Sequence, residues 1–278
     1  MPPAPPPAPP RELADGKLLV DRPLPDVARL TIANPSQRNA LDHAILDAIA
    51  ATLAELAADR AGTRCVIVTG AHGMFSAGYA IGEITDGSFL QEAESLVAHP
   101  FTEAIAALEA HPCPTLAVLP GHTIGGGLEL ALACDLRVAT AGIKLGMPPA
   151  KLGLVYSHTG LRRFIDAIGA ARTRELFLLG SYIDADRAEQ WGLVNRVVAG
   201  AELETAALEV AGELAGNAPL SQAGNKRVIS ALLEAEGELP TEVERELIQL
   251  RLDSFASHDL REGMSAFAEK RPPRWRGE

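Results

Sequence analysis

Three consecutive glycines, Gly125-Gly126-Gly127, are followed two residues later by Glu129, inside the stretch from Pro120 to Asp135. The run follows an apolar segment, Thr115-Leu116-Ala117-Val118-Leu119, with the composition of a buried strand, and it opens a Leu- and Ala-rich stretch that reads as a helix. Glycines at a strand-to-helix turn let the backbone come close to a ligand. The first N–H groups of a helix have no partner within it and suit a developing negative charge. Glu129 sets an acid/base group beside that anion site. Without the carboxylate the glycines would serve equally for a tight, closely packed turn. Glu129 itself also suits a helix start, where the dipole stabilises a carboxylate.

A second glycine-bearing loop, Gly70-Ala71-His72-Gly73-Met74-Phe75-Ser76-Ala77-Gly78-Tyr79-Ala80-Ile81, leaves the apolar run Cys65-Val66-Ile67-Val68-Thr69. In open parallel sheets ligands gather at the carboxyl ends of strands. The two loops are placed to give one backbone N–H each to a shared oxyanion. A third polar loop carries Tyr156-Ser157-His158-Thr159. His158 titrates in a catalytically useful range. Ser157 beside His158 has the composition of a hydrolase dyad, but adjacent residues rarely align as nucleophile and base, and no third member is evident.

The elements that must hold these loops follow from periodicity. Leu18-Leu19-Val20 and residues 27–32 read as paired strands, with Pro23 and Pro25 in the turn. Leu41, Ile45, Ile49, Leu53 and Leu56 recur at helical spacing, and the helix ends before Gly62. The uninterrupted apolar run at 65–69 suits a strand covered on both faces. Strand, helix, strand in that order makes a right-handed crossover. Residues 86–98 carry no pattern and are expected to be mobile. Residues 101–110 form a helix that stops at His111-Pro112. Strands are expected at 136–139, 143–147 and 193–198, and helices at 161–168, 172–179 and 185–191, the last started by Asp184. From Ala201 the chain turns helical, with breaks at Asn217-Ala218-Pro219 and near Gly237. The domain reading is a proline-rich disordered tail at 1–16, an α/β core at 17–200 and a helical region at 201–278. The tail holds seven prolines between Pro2 and Pro10 and suits an inert extension or an SH3-type ligand.

A 278-residue chain that is 47% hydrophobic and 22% charged buries a sizeable core in one large or two small domains. A formal net charge of −11 disfavours non-specific nucleic-acid binding. Cys65, Cys113 and Cys134 are scattered in or beside apolar runs without metal-ligand spacing. They read as reduced core thiols of a cytoplasmic protein. No apolar segment is long enough to span a membrane, and the N-terminus lacks the pattern of a secretory signal.

Taken together, Asn39-Ala40-Leu41, Phe75-Ser76-Ala77-Gly78, Gly125-Gly126-Gly127-Leu128-Glu129-Leu130-Ala131, Cys134-Asp135 and the segment from Glu262 to Arg271 stand in an order and spacing that resembles the crotonase superfamily, the enoyl-CoA hydratase/isomerase family. The resemblance runs from about Lys17 to Glu278. It implies an α/β fold, a spiral of ββα units with a helical C-terminal trimerisation region. It also implies an acyl-CoA substrate, a homotrimer or dimer of trimers, and no cofactor or metal beyond the coenzyme A carried by the substrate. By motif position the oxyanion-hole donors are the N–H groups of Tyr79 and Gly126, and the Tyr79 side chain sits where it narrows the acyl pocket. CoA contacts are implied at Arg38, Ala40, Ala77, Ile81 and Lys270, the last in many members reaching a neighbouring subunit's ligand.

Two positions depart from the family. Ala80 stands where Asp is usual. Pro149 stands where hydratases have the second of two glutamates, so only Glu129 of that pair remains. Addition of water needs proton management at two places. A Pro followed by Leu152-Gly153 and Tyr156 is similar to the methylmalonyl-CoA decarboxylase branch, in which the tyrosine lies near the departing carboxylate. The expected catalytic set is Glu129, Tyr156 and His158, with isomerisation or decarboxylation favoured over hydration. Hydration by Glu129 with a non-standard partner, and a non-catalytic CoA-binding protein, are the alternatives.

Overall fold

The computed structural model describes residues 9–59, 62–80, 97–237, 240–274 and 276. Its large sheet has seven strands in the order β1-β2-β3-β4-β6-β8-β11. These are β1 (Arg11–Leu13), β2 (Leu18–Leu24), β3 (Val27–Ile32), β4 (Cys65–Gly70), β6 (Thr115–Leu119), β8 (Leu136–Thr140) and β11 (Arg196–Val198). The first three pair antiparallel and the rest parallel. A four-stranded sheet, in the order β10-β9-β7-β5, is made of β5 (Met74–Ser76), β7 (His122–Ile124), β9 (Lys144–Gly146) and β10 (Ile183–Asp184).

The two sheets are threaded together. Each turn lays one strand in the large sheet, the next in the small sheet, and then a helix. Thus β4 and β5 precede α2 (Thr102–Glu109), β6 and β7 precede α3 (Gly126–Leu132), and β8 and β9 precede α4 (Pro149–Leu152). This is the expected ββα repeat. The short strands β5 and β7 went unread because three residues carry too little alternation to stand out inside loops. The ordered chain also starts earlier than Lys17, since Arg11–Leu13 pairs with β2. Residues 81–96, including Ile81 and most of the patternless segment, lie outside the described residues.

Apolar residues on both faces of β4 explain its unbroken hydrophobic run. Val66 and Val68 pack into the main core with Ile45, Ile49 and Leu53 of α1 (His43–Ala58). Cys65 and Ile67 face Ala206, Ala207 and Ala211 of α7 (Leu203–Gly216). Full burial of each such aliphatic side chain contributes about 1.5–3 kcal/mol. Helix starts carry the caps their composition suggests: Asp42 accepts from the Ile45 N–H, and Asp184 from the Arg187 N–H. Residues 161–168 and 172–179 belong to one helix, α5 (His158–Leu179), broken at Gly169 by a φ of 76°. The helix α6 (Ala185–Trp191) falls where expected. The C-terminal region is α7, α8 (Pro219–Gly237), α9 (Thr241–Ala256) and α10 (His258–Ala268). No helix of the described residues is long and apolar enough to cross a membrane.

One buried side chain ties the loops ahead of the site. Asn39, 1% exposed with a φ of 56°, accepts from the Asn34 N–H and donates to the carbonyls of Ala71 and Met74. Asparagine suits this position because it tolerates the left-handed region and its amide satisfies both loops. Asn39→Ala should lose about 3 kcal/mol of unfolding free energy, from unpaired carbonyls and backbone strain together. A urea titration checks this; a loss below about 1 kcal/mol would show that the clamp is dispensable.

Candidate active site

The glycine run opens α3 directly after β7, and Gly78 closes the turn after β5, so the parallel pairing of β5 with β7 brings the two loops together. A Cβ at Gly78 would lie 3.1 Å from the Ile124 carbonyl oxygen and 3.4 Å from the Gly126 nitrogen. Gly78 itself has a φ of 101°. The loop is fixed from the other side by residues 38–41. The Ala77 N–H donates to the Arg38 carbonyl, Leu41 N–H to Gly78, and Ala80 N–H to Leu41. Among the described residues, these bonds leave the N–H groups of Tyr79 and Gly126 without an acceptor. Two free donors at one loop junction have the arrangement that an oxyanion site requires. The Tyr79 ring lies over Gly126, where a Cβ would come within 2.5 Å of Tyr79 Cε1. Glycine is therefore required there by close approach.

Glu129 sits in the first turn of α3 and is 2% exposed. The Tyr156 hydroxyl donates to its Oε2. Arg163 Nη1, from α5, lies 3.1 Å from its Oε1. The same guanidinium grips Glu109, at the end of α2, through Nε and Nη2 at 2.5 and 3.0 Å. Tyr79 and Tyr156 meet hydroxyl to hydroxyl at 3.3 Å. Their rings are held edge-on, Tyr79 by Phe101 at 4.9 Å and Tyr156 by Phe177 at 5.4 Å between centroids.

Burial pushes the Glu129 carboxyl above the ordinary carboxylate range, while the Arg163 charge and the Tyr156 hydrogen bond oppose that rise. Burial, and after it the Glu129 charge, pushes the Tyr79 and Tyr156 phenols well above their ordinary value. Both tyrosines are therefore neutral O–H groups at physiological pH. The site is a carboxylate whose two oxygens are both engaged, leading through two phenols towards the oxyanion junction.

The other expected residues fall in three places. Arg38 is exposed and Ala40 is buried, both on the segment that fixes the Gly78 turn from behind, and Ala77 is half-buried on that turn. Lys270 is exposed just beyond α10, with a φ of 54°. His158 is not part of the cluster. It is the first residue of α5, and its Nε2 faces Glu244 Oε1 of α9 at 3.7 Å. Ser157 caps α5 by accepting from the Gly160 N–H, so its hydroxyl serves the helix start. That removes the dyad. Pro149 is buried at the first position of α4 and brings no acid or base. Arg163 and Glu109 were not read from the sequence. Arg163 is adjacent to Arg162 on an amphipathic helix and is 34 positions from Glu129, so no local pattern marks it.

The family model for enoyl-CoA hydratase/isomerase matches residues 25–278. A probable enoyl-CoA hydratase of Bacillus subtilis (strain 168) is 35% identical over 261 residues, covering 91% of this chain and 96% of that protein. The 2,3-dehydroadipyl-CoA hydratase of Escherichia coli (strain K12) is 32% identical over 251 residues, covering 90% and 95%. Among solved structures, methylmalonyl-CoA decarboxylase in complex with 2-nitronate-propionyl-CoA superposes with a TM-score of 0.85 at 28% identity, covering 94% of this chain and 99% of that one. An enoyl-CoA hydratase from Mycobacterium avium subsp. paratuberculosis K-10 has a TM-score of 0.77 at 26% identity, covering 94% and 98%. With the two-donor junction and the buried glutamate in place on the ββα scaffold, and a match across nearly its whole length, the chain belongs to the enoyl-CoA hydratase/isomerase family.

Proposed function

We propose that the protein decarboxylates a 2-carboxyacyl-CoA thioester. The C–C bond to the carboxylate breaks, CO2 leaves, and the electron pair passes into an enolate. The enolate oxygen is held by the N–H groups of Tyr79 and Gly126, and the α-carbon then takes up one proton. CoA enters as part of the substrate, with residues 38–40 and Ala77 beside its entry and Lys270 reaching its phosphates. One observation carries this reading: Glu129 is paired with Tyr156 and Arg163 at its two oxygens, while Pro149, at the position of a second glutamate, supplies no second acid or base. Losing CO2 generates an enolate with no base at the carbon, whereas two-glutamate hydration needs a second acid/base group. The similarity to methylmalonyl-CoA decarboxylase supports it. Double-bond isomerisation is the second reading, favoured by the hydrogen bond that lets Glu129 draw a proton through Tyr156.

Methylmalonyl-CoA, a 3-enoyl-CoA and crotonyl-CoA should be tested together, with products followed by mass spectrometry. Release of CO2 from methylmalonyl-CoA should be the dominant turnover, and Glu129→Gln should lower kcat by about 10²–10⁴-fold. Rapid hydration of crotonyl-CoA with no decarboxylation would overturn the reading.

Arg163 lowers the Glu129 pKa, so its removal leaves burial opposed chiefly by the Tyr156 hydrogen bond and raises that pKa. Return of a proton to the α-carbon needs Glu129 in its protonated form, so that step is present below its pKa and is lost as pH rises through it. In Arg163→Met the alkaline limb of the decarboxylation rate profile should therefore fall at higher pH than in the native enzyme. An unmoved limb would show that Arg163 does not set the Glu129 charge.

Assembly as a homotrimer or dimer of trimers is supported by exposed Leu178 and Leu179 on α5 and by Val228, Ile229 and Leu232 on α8. Exposed apolar patches of this kind mark interaction surfaces. Sedimentation equilibrium should show a trimer or hexamer that Leu232→Asp weakens; a native monomer at micromolar concentration would contradict it.

A further inference from the structure

The geometry points to Tyr79 as the group that exchanges a proton with the substrate carbon, at the end of a relay that runs from Glu129 through Tyr156. This rests on the enolate reading above and goes beyond it, because it gives the Tyr79 side chain, and not only its N–H, a chemical part.

Both oxygens of Glu129 already have partners that turn them towards Tyr156 and Arg163. Its Oε2 accepts from Tyr156 and its Oε1 faces Arg163. Tyr156 in turn has its proton committed to Glu129, so at the 3.3 Å contact between phenols Tyr79 is the donor. Tyr79 is the residue whose ring covers Gly126 and whose own N–H is the other oxyanion donor. Of the three groups it alone is built into the hole.

The order of donors reverses when Glu129 carries a proton. Glu129 then donates to Tyr156, Tyr156 to Tyr79, and the Tyr79 O–H turns outward. After CO2 leaves, the enolate α-carbon takes the Tyr79 proton, Tyr79 takes that of Tyr156, and Tyr156 takes that of Glu129. Both phenols end neutral and Glu129 ends as the carboxylate, to be reloaded from solvent. One proton is consumed for each CO2 released. The transfers pass in one sweep because burial disfavours a phenolate at either tyrosine. Run backwards from the carboxylate, the same chain withdraws an α-proton. Arg163, tied to Glu109, holds the inner end of the relay in place.

The test is deuterium incorporation at the α-carbon of propionyl-CoA in D2O, a probe that needs no carboxylate to lose. The native enzyme should bind propionyl-CoA and exchange its α-hydrogen. Tyr79→Phe keeps the backbone N–H and the edge contact with Phe101 and removes only the hydroxyl. It should slow exchange by about 10²-fold or more while propionyl-CoA binding stays within about threefold. Tyr156→Phe cuts the relay one bond earlier and should slow exchange similarly. Thermal unfolding of both variants guards against a folding defect. Exchange by Tyr79→Phe within about threefold of native, with Tyr156→Phe slowed, would end the relay at Tyr156 and overturn the proposal while leaving the enolate reading intact. A native enzyme that binds propionyl-CoA and exchanges nothing would overturn the enolate reading, and the relay with it.

Discussion

A carboxylate buried among leucines and alanines is the constraint on which the site depends. Glu129 lies on a helix with Leu128, Leu130 and Ala131, all of them buried. An unpaired ion there would cost several kcal/mol or give up its charge. Two groups offset that cost from different directions: a guanidinium on α5 and a phenol from the loop before it. Arg163 is itself only partly exposed, and it is anchored by Glu109 at the end of α2. So the charge of one residue is settled by three segments of chain, and the start of α5 must sit where it does for the site to exist. Even the glycine in that first turn follows from this. A Cβ at Gly160 would come within 2.6 Å of Tyr156 and 2.9 Å of Glu129 Oε1.

The second constraint is the junction of two loops, and it is set by backbone. Neither N–H donor depends on its side chain, so the fold has to deliver them by strand register. The short pairing of β5 with β7 does this, and the Asn39 amide holds the loop at 71–74 from behind. Backbone donors fixed in this way need no reorganisation when charge develops on a ligand oxygen. Tyr79 joins the two constraints. Its nitrogen belongs to the junction and its hydroxyl to the chain of groups that ends at Glu129.

Much of the scaffold was legible because its signals are local. The run at 65–69 is apolar on both faces and is covered on both faces; the period of Ile45, Ile49 and Leu53 is helical and so is the element. Asp184 was read as a helix start and caps one. The glycine run and Glu129 were legible for the same reason, since turn and carboxylate are neighbours in sequence. What escaped was long-range. Nothing near Arg163 marks it as the partner of a glutamate 34 positions away, and nothing near Glu109 marks it as that arginine's anchor. His158 misled because proximity in sequence to Tyr156 says little where a helix begins between them. The first turn of α5 sends Tyr156 inward and presents His158 to α9.

That division also bears on what whole-chain similarity can decide. Relatives named as hydratases share about a third of this sequence, and that shared third is distributed along nearly the full chain. A scaffold and an oxyanion junction occupy most positions; the choice among reactions of a thioester enolate occupies few. Here those few are specific. Pro149 has no acid, each Glu129 oxygen already has a partner, and two half-buried tyrosines extend from Glu129 to the junction. Addition of water across a double bond needs proton management at two places. A site that generates its enolate by losing CO2 needs only the junction and a returning proton. The proposed decarboxylation rests on this second set of groups among the described residues: a two-donor junction and a chain of three side chains, Glu129, Tyr156 and Tyr79, that ends beside it.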